Sequence, residues 1–298
     1  MTGPTSRSRM LIVGGCGGLA GRALLEEFGS DGGIRSLHRH PVPAETAQGV
    51  EWIQGDAATV ADWAPLLDGI DVVVNLAWYR HGSTRRFRPL AEGLRRLIAA
   101  SEIAGIRRFV QISVPPAPPP MESGLPYLRY KREVDLALTQ SRLSHAVVRA
   151  SMLFGPRDKL LTVMLRTIAR YHRFPMFGDG RYHLSPIASR DVARIVRREL
   201  AIRESHTVDA GGPTRWVYRD LTDELFRVLG REPRYFRLSP RGAVRLARLM
   251  EAVGSSLLYA YEVEWLLSDR LGLAPYSGLD QPLEPVEPFL SSEAARYR

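Results

Sequence analysis

Tyr127 and Lys131 stand four residues apart in the stretch Tyr127-Leu-Arg-Tyr130-Lys131. On a helix that spacing places both side chains on one face. A phenol, with an ordinary pKa of about 10, is a weak acid-base group at neutral pH. A neighbouring ammonium favours the phenolate and lowers that pKa. The pair can then give a proton to a reacting oxygen, or take one from it. Composition draws further attention to Lys131. The 41 basic residues are 39 arginines and 2 lysines, Lys131 and Lys159. Arginine has displaced lysine almost everywhere, and it substitutes poorly where one compact ammonium must reach two partners. Tyr130 has Val134 four residues on and is read as a packing residue.

A second group of residues points to a ligand. Gly15-Cys-Gly17-Gly18-Leu19-Ala-Gly21 has glycines at the spacing G-x-x-G-x-x-G. It follows the apolar run Met10 to Val13 and opens the helical pattern from Leu19 to Phe28. A strand, a glycine turn and a helix start in that order let backbone approach a dinucleotide pyrophosphate, with free N–H groups and partial positive charge at the helix end. The next strand ends in Ser36-Leu37-His38-Arg39-His40, with no carboxylate for ribose hydroxyls. Arg39 is placed to pair with a 2′-phosphate, so NADP is expected and NAD is the runner-up. Asp56 falls where an adenine contact would lie, and Asn75-Leu76-Ala77 ends a strand beside the expected cleft.

These groups need elements to hold them, and the pattern supplies an alternation. Strands are expected at Met10 to Val13, Ile34 to Leu37, Val50 to Ile53, Asp71 to Leu76, Phe109 to Ile112 and His145 to Arg149. Helices are expected at Leu19 to Phe28, Leu90 to Ala104 and Tyr127 to Gln140. That alternation predicts an α/β fold with a doubly wound parallel Rossmann sheet. Beyond about Gly155 helices dominate, at Lys159 to Tyr171, Arg190 to Ile202, Val217 to Leu229, Pro240 to Val253 and Ser255 to Leu271. This predicts a flexible tail over 1–8 and a dinucleotide-binding core over 9–155. A small, mainly helical substrate-binding part follows over 156–273, interleaved with the last core elements, and a surface tail over 274–298. Pro115 to Pro120 reads as a rigid loop over a site.

Composition narrows the classes of function. The chain has 298 residues, 45% of them hydrophobic, enough for a sizeable core. The net charge of +9 is spread from Arg7 to Arg298 instead of clustered, so a nucleic-acid partner is not expected. No run of about 18 apolar residues occurs, and no membrane partner is expected. The single cysteine, Cys16, makes no intramolecular disulfide and fits a cytoplasmic setting. The seven histidines lack metal-ligand spacing, and no metal is expected. His81 and His183 are candidate substrate-facing groups. No G-x-S-x-G elbow is present. The apolar pattern of Leu246, Leu249, Met250, Leu257 and Leu258 suits a core or a dimer surface, which leaves a homodimer as the candidate assembly.

Taken with Arg108-Phe-Val-Gln-Ile-Ser113, Glu133, Arg149-Ala-Ser-Met-Leu-Phe-Gly155-Pro156, Ser185-Pro-Ile-Ala-Ser-Arg-Asp191-Val-Ala193 and Gly211-Gly-Pro213, these motifs resemble the short-chain dehydrogenase/reductase superfamily. The glycine spacing resembles its extended, epimerase/dehydratase-like branch. The short interval from Ser113 to Tyr127 resembles the atypical branch that includes a complex I accessory subunit. The resemblance implies Tyr127 as acid-base group, Lys131 as its tuner and nicotinamide-ribose holder, and Met152 and Phe154 near the nicotinamide. It implies a catalytic hydroxyl, for which Ser113 is the candidate. Two departures stand out. Val114 and Pro115 occupy the positions where the catalytic serine usually lies, and no asparagine occurs around Leu90 to Glu92. The expected activity is hydride transfer between NADP(H) and a carbonyl or alcohol carbon of a small metabolite. The alternatives are a sugar epimerase or dehydratase with internally recycled cofactor, and a non-catalytic NADP-binding module.

Overall fold

Short apolar runs become the strands of a buried sheet. A computed structural model describes residues 9–15, 18–39, 49–80, 82–254 and 258–297. Strands β1 (Met10–Val13), β2 (Ile34–His38), β3 (Val50–Gln54), β4 (Val72–Asn75), β5 (Arg108–Ser113) and β6 (His145–Ala150) pair in parallel, in the spatial order β3-β2-β1-β4-β5-β6. Every residue of β1 and β4 is buried, as strands covered on both faces require. This is the doubly wound order, and the winding reverses between β1 and β4. Ligands in such sheets bind beyond the strand ends at that reversal, where Val13 lies in register with Asn75. A seventh strand, β11 (His206–Ala210), lies beyond β6. It was not expected from the sequence because, as an edge strand, it is only half-buried and its apolar pattern is weak.

The chain forms two units. The first comprises residues through Val114, Pro120–Arg149 and Ser189–Val208. It holds most of the seven-stranded sheet with α1 (Leu19–Phe28), α2 (Ala64–Leu67), α3 (Thr84–Ile103), α5 (Pro126–Thr139) and α7 (Ser189–Ala201); the short α4 (Pro119–Gly124) starts at its boundary. Helix α3 begins six residues before the expected Leu90 and runs through Pro89. Proline removes one backbone hydrogen bond there. Phe87, Leu90, Ala91 and Leu94 bury one face across the proline and carry the helix through it.

The second unit comprises Pro115–Pro119, Ala150–Ala188 and residues from Asp209 onward. Its strands pair two by two: β7 (Leu153–Phe154) with β10 (Ile187–Ala188), β8 (Phe174–Phe177) with β13 (Tyr235–Leu238), and β9 (His183–Leu184) with β12 (Trp216–Val217). Helices α6 (Leu160–Tyr171), α8 (Tyr218–Val228), α9 (Pro240–Ala252), α10 (Ala260–Leu267) and α11 (Val286–Ala294) complete it. The stretch 274–298, expected as a surface tail, carries α11, whose Val286, Leu290 and Ala294 are buried with Leu165, Leu225 and Phe226. The expected tail over 1–8 lies outside the described residues. Among the described residues no helix is long and apolar enough to cross a membrane.

Candidate functional site

The glycine turn sits at the end of β1, and its glycines are required for different reasons. Gly14 has φ +92°, and a Cβ there would stand 2.8 Å from the Ala77 backbone, so the ends of β1 and β4 approach each other. A Cβ on Gly15 would strike Ser36 Oγ, and one on Gly21 would lie 2.0 Å from the Gly15 carbonyl oxygen. Gly21 therefore lets α1 press against the turn. Gly18 differs. It is the N-cap of α1, with no side-chain cap, and its Cβ would meet nothing within 4 Å. Among the described residues no atom demands a glycine there. The first N–H groups of α1, from Leu19 on, are left for water or a ligand. Among the described residues the buried Ser36 Oγ beside Gly15 also has no hydrogen-bond partner. An uncapped helix start, open space at its glycine and an unpaired hydroxyl fit a dinucleotide pyrophosphate. Gly17, Cys16 and His40 lie outside the described residues.

Asn75 shapes the neighbouring strand end. Its Nδ2 donates to Gln111 Oε1 at 2.7 Å, and its Oδ1 accepts from the Ala77 N–H at 3.0 Å. Asp56 follows β3. Its carboxylate accepts the Ala58 N–H at 3.0 Å and the Tyr79 hydroxyl at 2.7 Å. Burial, helped by Asp56, pushes the Tyr79 phenol up to about 12. Arg39, exposed at the end of β2, stacks its guanidinium over the Tyr79 ring, 4.7 Å from the centroid.

Tyr127 and Lys131 both lie on α5, as their spacing requires, and both face Trp78. The Tyr127 ring meets Trp78 edge-on at 6.1 Å and Phe87 at 5.7 Å, and Trp78 stacks on Phe87. Lys131 is 3% exposed. Its Nζ donates to the Ile112 carbonyl oxygen at 2.7 Å and stands 4.8 Å from the Trp78 ring centroid. Burial pushes the ammonium down to about 8, with Asp135 opposing the shift. Asp135 is buried one turn further along α5, and burial raises its carboxyl above the usual range. The Ser113 hydroxyl donates to Asp135 Oδ2, while Asp135 Oδ1 is buried without a hydrogen-bond partner among the described residues. One and two turns beyond Tyr127 on α5 there are thus a buried amine whose pKa burial lowers and a buried carboxyl whose pKa burial raises.

The structure brings Tyr127, Lys131, Asn75, Ala77, Ser113 and the described glycines to the strand ends of the first unit. It directs the Ser113 hydroxyl to Asp135. Met152 and Phe154 belong to the second unit, where Phe154 is buried with Leu161 and Leu165 and Met152 packs against that cluster. His183 pairs with Asp269 at 3.0 Å, and His81 lies outside the described residues. Sequence reasoning missed Trp78, Tyr79 and Asp135. Each had a signal: Trp78 and Tyr79 directly follow the strand-end Asn75-Leu-Ala, and Asp135 repeats the four-residue spacing beyond Lys131.

A family model described as NAD(P)H-binding matches residues 14–202. The chain is 27% identical over 177 residues, 56% of its length and 43% of the relative's, to the mitochondrial NADH dehydrogenase [ubiquinone] 1 alpha subcomplex subunit 9 of Arabidopsis thaliana. It is 29% identical over 200 residues, 58% of its length and 59% of the relative's, to a 2-alkyl-3-oxoalkanoate reductase of Stenotrophomonas maltophilia. In both cases the match spans less than two thirds of the relative. In fold, it is similar to a nucleoside-diphosphate-sugar epimerase from Staphylococcus aureus, with a TM-score of 0.75 and 17% identity over 95% of this chain and 99% of that one. With the glycine turn at a parallel-sheet reversal, and with a family match over more than half of its residues, the chain belongs to the NAD(P)H-binding family.

Proposed function

We propose that the protein is an NADP(H)-dependent oxidoreductase acting between a carbonyl and an alcohol carbon of a small metabolite. The observation that carries this reading is Lys131. One of only two lysines, it is buried one helical turn from Tyr127, and both lie against Trp78. A buried ammonium without function is costly, and arginine serves most other basic positions in this chain. The bound dinucleotide would supply or accept the hydride. Gly15, Gly18, Leu19 and Gly21 would hold its pyrophosphate, Asp56 its adenine and Arg39 a 2′-phosphate. Tyr127 would donate its phenolic proton to the substrate oxygen in reduction and take it back in oxidation. Lys131 would favour the phenolate left behind; the Ile112 carbonyl oxygen holds Lys131 in place, and Asp135 favours its charge.

The reductase relative supports reduction of a carbonyl, and the commitment of Ser113 to Asp135 supports a second reading, a module that binds cofactor without turnover. One experiment separates them. NADPH oxidation by the purified protein is measured against a panel of small ketones, for wild type and Tyr127→Phe. The proposal expects turnover that falls by 10²-fold or more in the variant, with NADPH affinity unchanged. Binding without turnover across the panel would favour the second reading. Stoichiometric nucleotide released only on denaturation would point to an epimerase or dehydratase that recycles its hydride.

A further inference from the structure

Trp78 occupies its place at a cost. It lies three residues beyond the end of β4, partly buried against the core of the first unit. Its indole N–H is buried and has no hydrogen-bond partner among the described residues. Burying an unpaired donor is unfavourable, and phenylalanine would fill an apolar position without one. What indole offers instead is its face, which attracts a cation more strongly than the ring of phenylalanine or tyrosine does. Lys131 Nζ lies over that face, 4.8 Å from the ring centroid.

The ring and the ammonium are both held from outside α5. Phe87 on α3, 1% exposed, stacks on the indole with centroids 5.7 Å apart and planes 20° apart. Just before Trp78, the Leu76 N–H donates to the Val13 carbonyl oxygen at 2.8 Å and the Ala77 N–H to Asn75 Oδ1 at 3.0 Å, which ties this stretch to β1 and β4. A lysine side chain has many rotamers, so helix spacing alone does not place its ammonium. Two contacts do so here, the Ile112 carbonyl oxygen of β5 at 2.7 Å and the indole. On its own helix Lys131 has Tyr127 one turn before it and Asp135, which favours its charge, one turn after. Ser113 on β5 donates to Asp135, and Arg132 and Arg149 act on Asp135 in turn. Tyr127 meets the same indole edge-on at 6.1 Å.

We propose that Trp78 is a positioning residue for the proton-transfer pair: its face holds the Lys131 ammonium and favours the charged form, and its contact with Tyr127 keeps the phenol against the same ring. This rests on the oxidoreductase reading above, in which Lys131 favours the Tyr127 phenolate, and adds to it a residue that acts through Lys131. It also accounts for an indole at a position where its N–H goes unpaired.

The Lys131 titration, read by NMR in full-length protein labelled with ¹³C-lysine, tests the contact without turnover. Trp78→Phe keeps a weaker ring face, and Trp78→Leu keeps an apolar cover with no ring. The wild-type midpoint is expected at about pH 8. Loss of a cation–π contact of ordinary strength corresponds to roughly 0.4–1.5 pH units. Trp78→Leu is expected to lower the midpoint by that amount and Trp78→Phe by less. If both leave it unchanged, or if Trp78→Leu raises it toward 10.5 by admitting water, the indole is only a cover and the proposal fails. Should Trp78→Leu fail to fold, the direction of the Trp78→Phe shift decides. With an alcohol that the wild type oxidises, the acid limb of kcat/KM follows loss of the Tyr127 proton. Trp78→Leu is expected to move that limb to higher pH, and a limb that stays in place overturns the link to Tyr127. Absence of turnover in the wild type defeats the oxidoreductase reading and leaves the contact to be judged by the Lys131 midpoint.

Discussion

Lys131 carries the chemistry proposed here, and the composition of the chain makes it unusually easy to measure. With two lysines in 298 residues, a protein labelled with ¹³C-lysine gives two side-chain signals. Lys131→Arg removes one and assigns the other. The Lys131 signal is expected to titrate at about pH 8 in the cofactor-free protein. A midpoint above 10 would mean that burial does not disfavour its charge. Asp135 pulls the Lys131 pKa upward, so Asp135→Asn should move the midpoint below that of wild type. The same shift has a sign in stability. Between about pH 8 and the unshifted value of 10.5 the unfolded chain keeps a proton that the folded chain has released. Folding stability contributed by this group therefore rises with pH across that window, and its burial penalty is felt in full below it. Ser113→Ala tests the same cluster from the other side. It removes the donor to Asp135 Oδ2 from a buried carboxyl whose other oxygen already lacks one. Urea unfolding is expected to show a loss of about 1–3 kcal/mol. At this scale Tyr127 and Lys131 were legible because their types are chemically suited and lysine is rare. Trp78 showed only its place after the strand-end Asn75-Leu-Ala; its stacking partners are set by sheet order and not by spacing along the chain.

At the scale of elements, the glycine turn was legible as a motif but its glycines were not legible as individuals. Their spacing says nothing about which of them serves the fold and which the ligand. The backbone does. Gly21→Ala drives a methyl to 2.0 Å from the Gly15 carbonyl oxygen, where α1 and the turn must separate. Gly18→Ala meets nothing, at a φ of −121° that alanine adopts freely. Thermal unfolding and nucleotide titration should thus divide the pair. Gly21→Ala is expected to lose roughly 1–3 kcal/mol of stability. Gly18→Ala is expected to lose less, about 0.5–1 kcal/mol for alanine in place of glycine at an N-cap, and to bind NADPH more weakly. A Gly18→Ala protein with wild-type affinity would remove the turn from the nucleotide site. Helix α3 gives the complementary lesson. Its start was misplaced because Pro89 reads as a boundary in sequence, whereas the buried Phe87, Leu90 and Leu94 hold one continuous face across it.

At the scale of the molecule, the first unit is assembled from stretches far apart in the chain. Helix α7 and most of β11 return to it after the second unit has been started, and no local pattern announces such a return. The return is fastened at Arg108 on β5, which is 1% exposed. Its Nε donates to the Glu199 carbonyl oxygen at 2.9 Å, and its Nη1 donates to Ser144 Oγ and to the Glu204 carbonyl oxygen, each at 2.9 Å. The buried Glu199 carboxylate stands 3.8 Å from its Nη2 and 2.7 Å from His206 Nε2. Arg197 adds a second fastening, from α7 to Glu27 and Asp31 at the end of α1. These contacts differ in worth. Arg197 and its partners reach solvent, and such pairs contribute about 0–1 kcal/mol. Removing Arg108 takes the guanidinium from beside a buried carboxylate and the donors from three acceptors, which costs about 3–5 kcal/mol. Arg108→Met should therefore lower the urea midpoint far more than Arg197→Met. Restoring neutrality with Glu199→Gln in the Arg108→Met background should recover part of the loss. A double-mutant cycle reads that coupling directly, because both groups lie in one buried network. Additive losses would show that Arg108 acts through its carbonyl contacts alone, with the Glu199 carboxylate satisfied by His206.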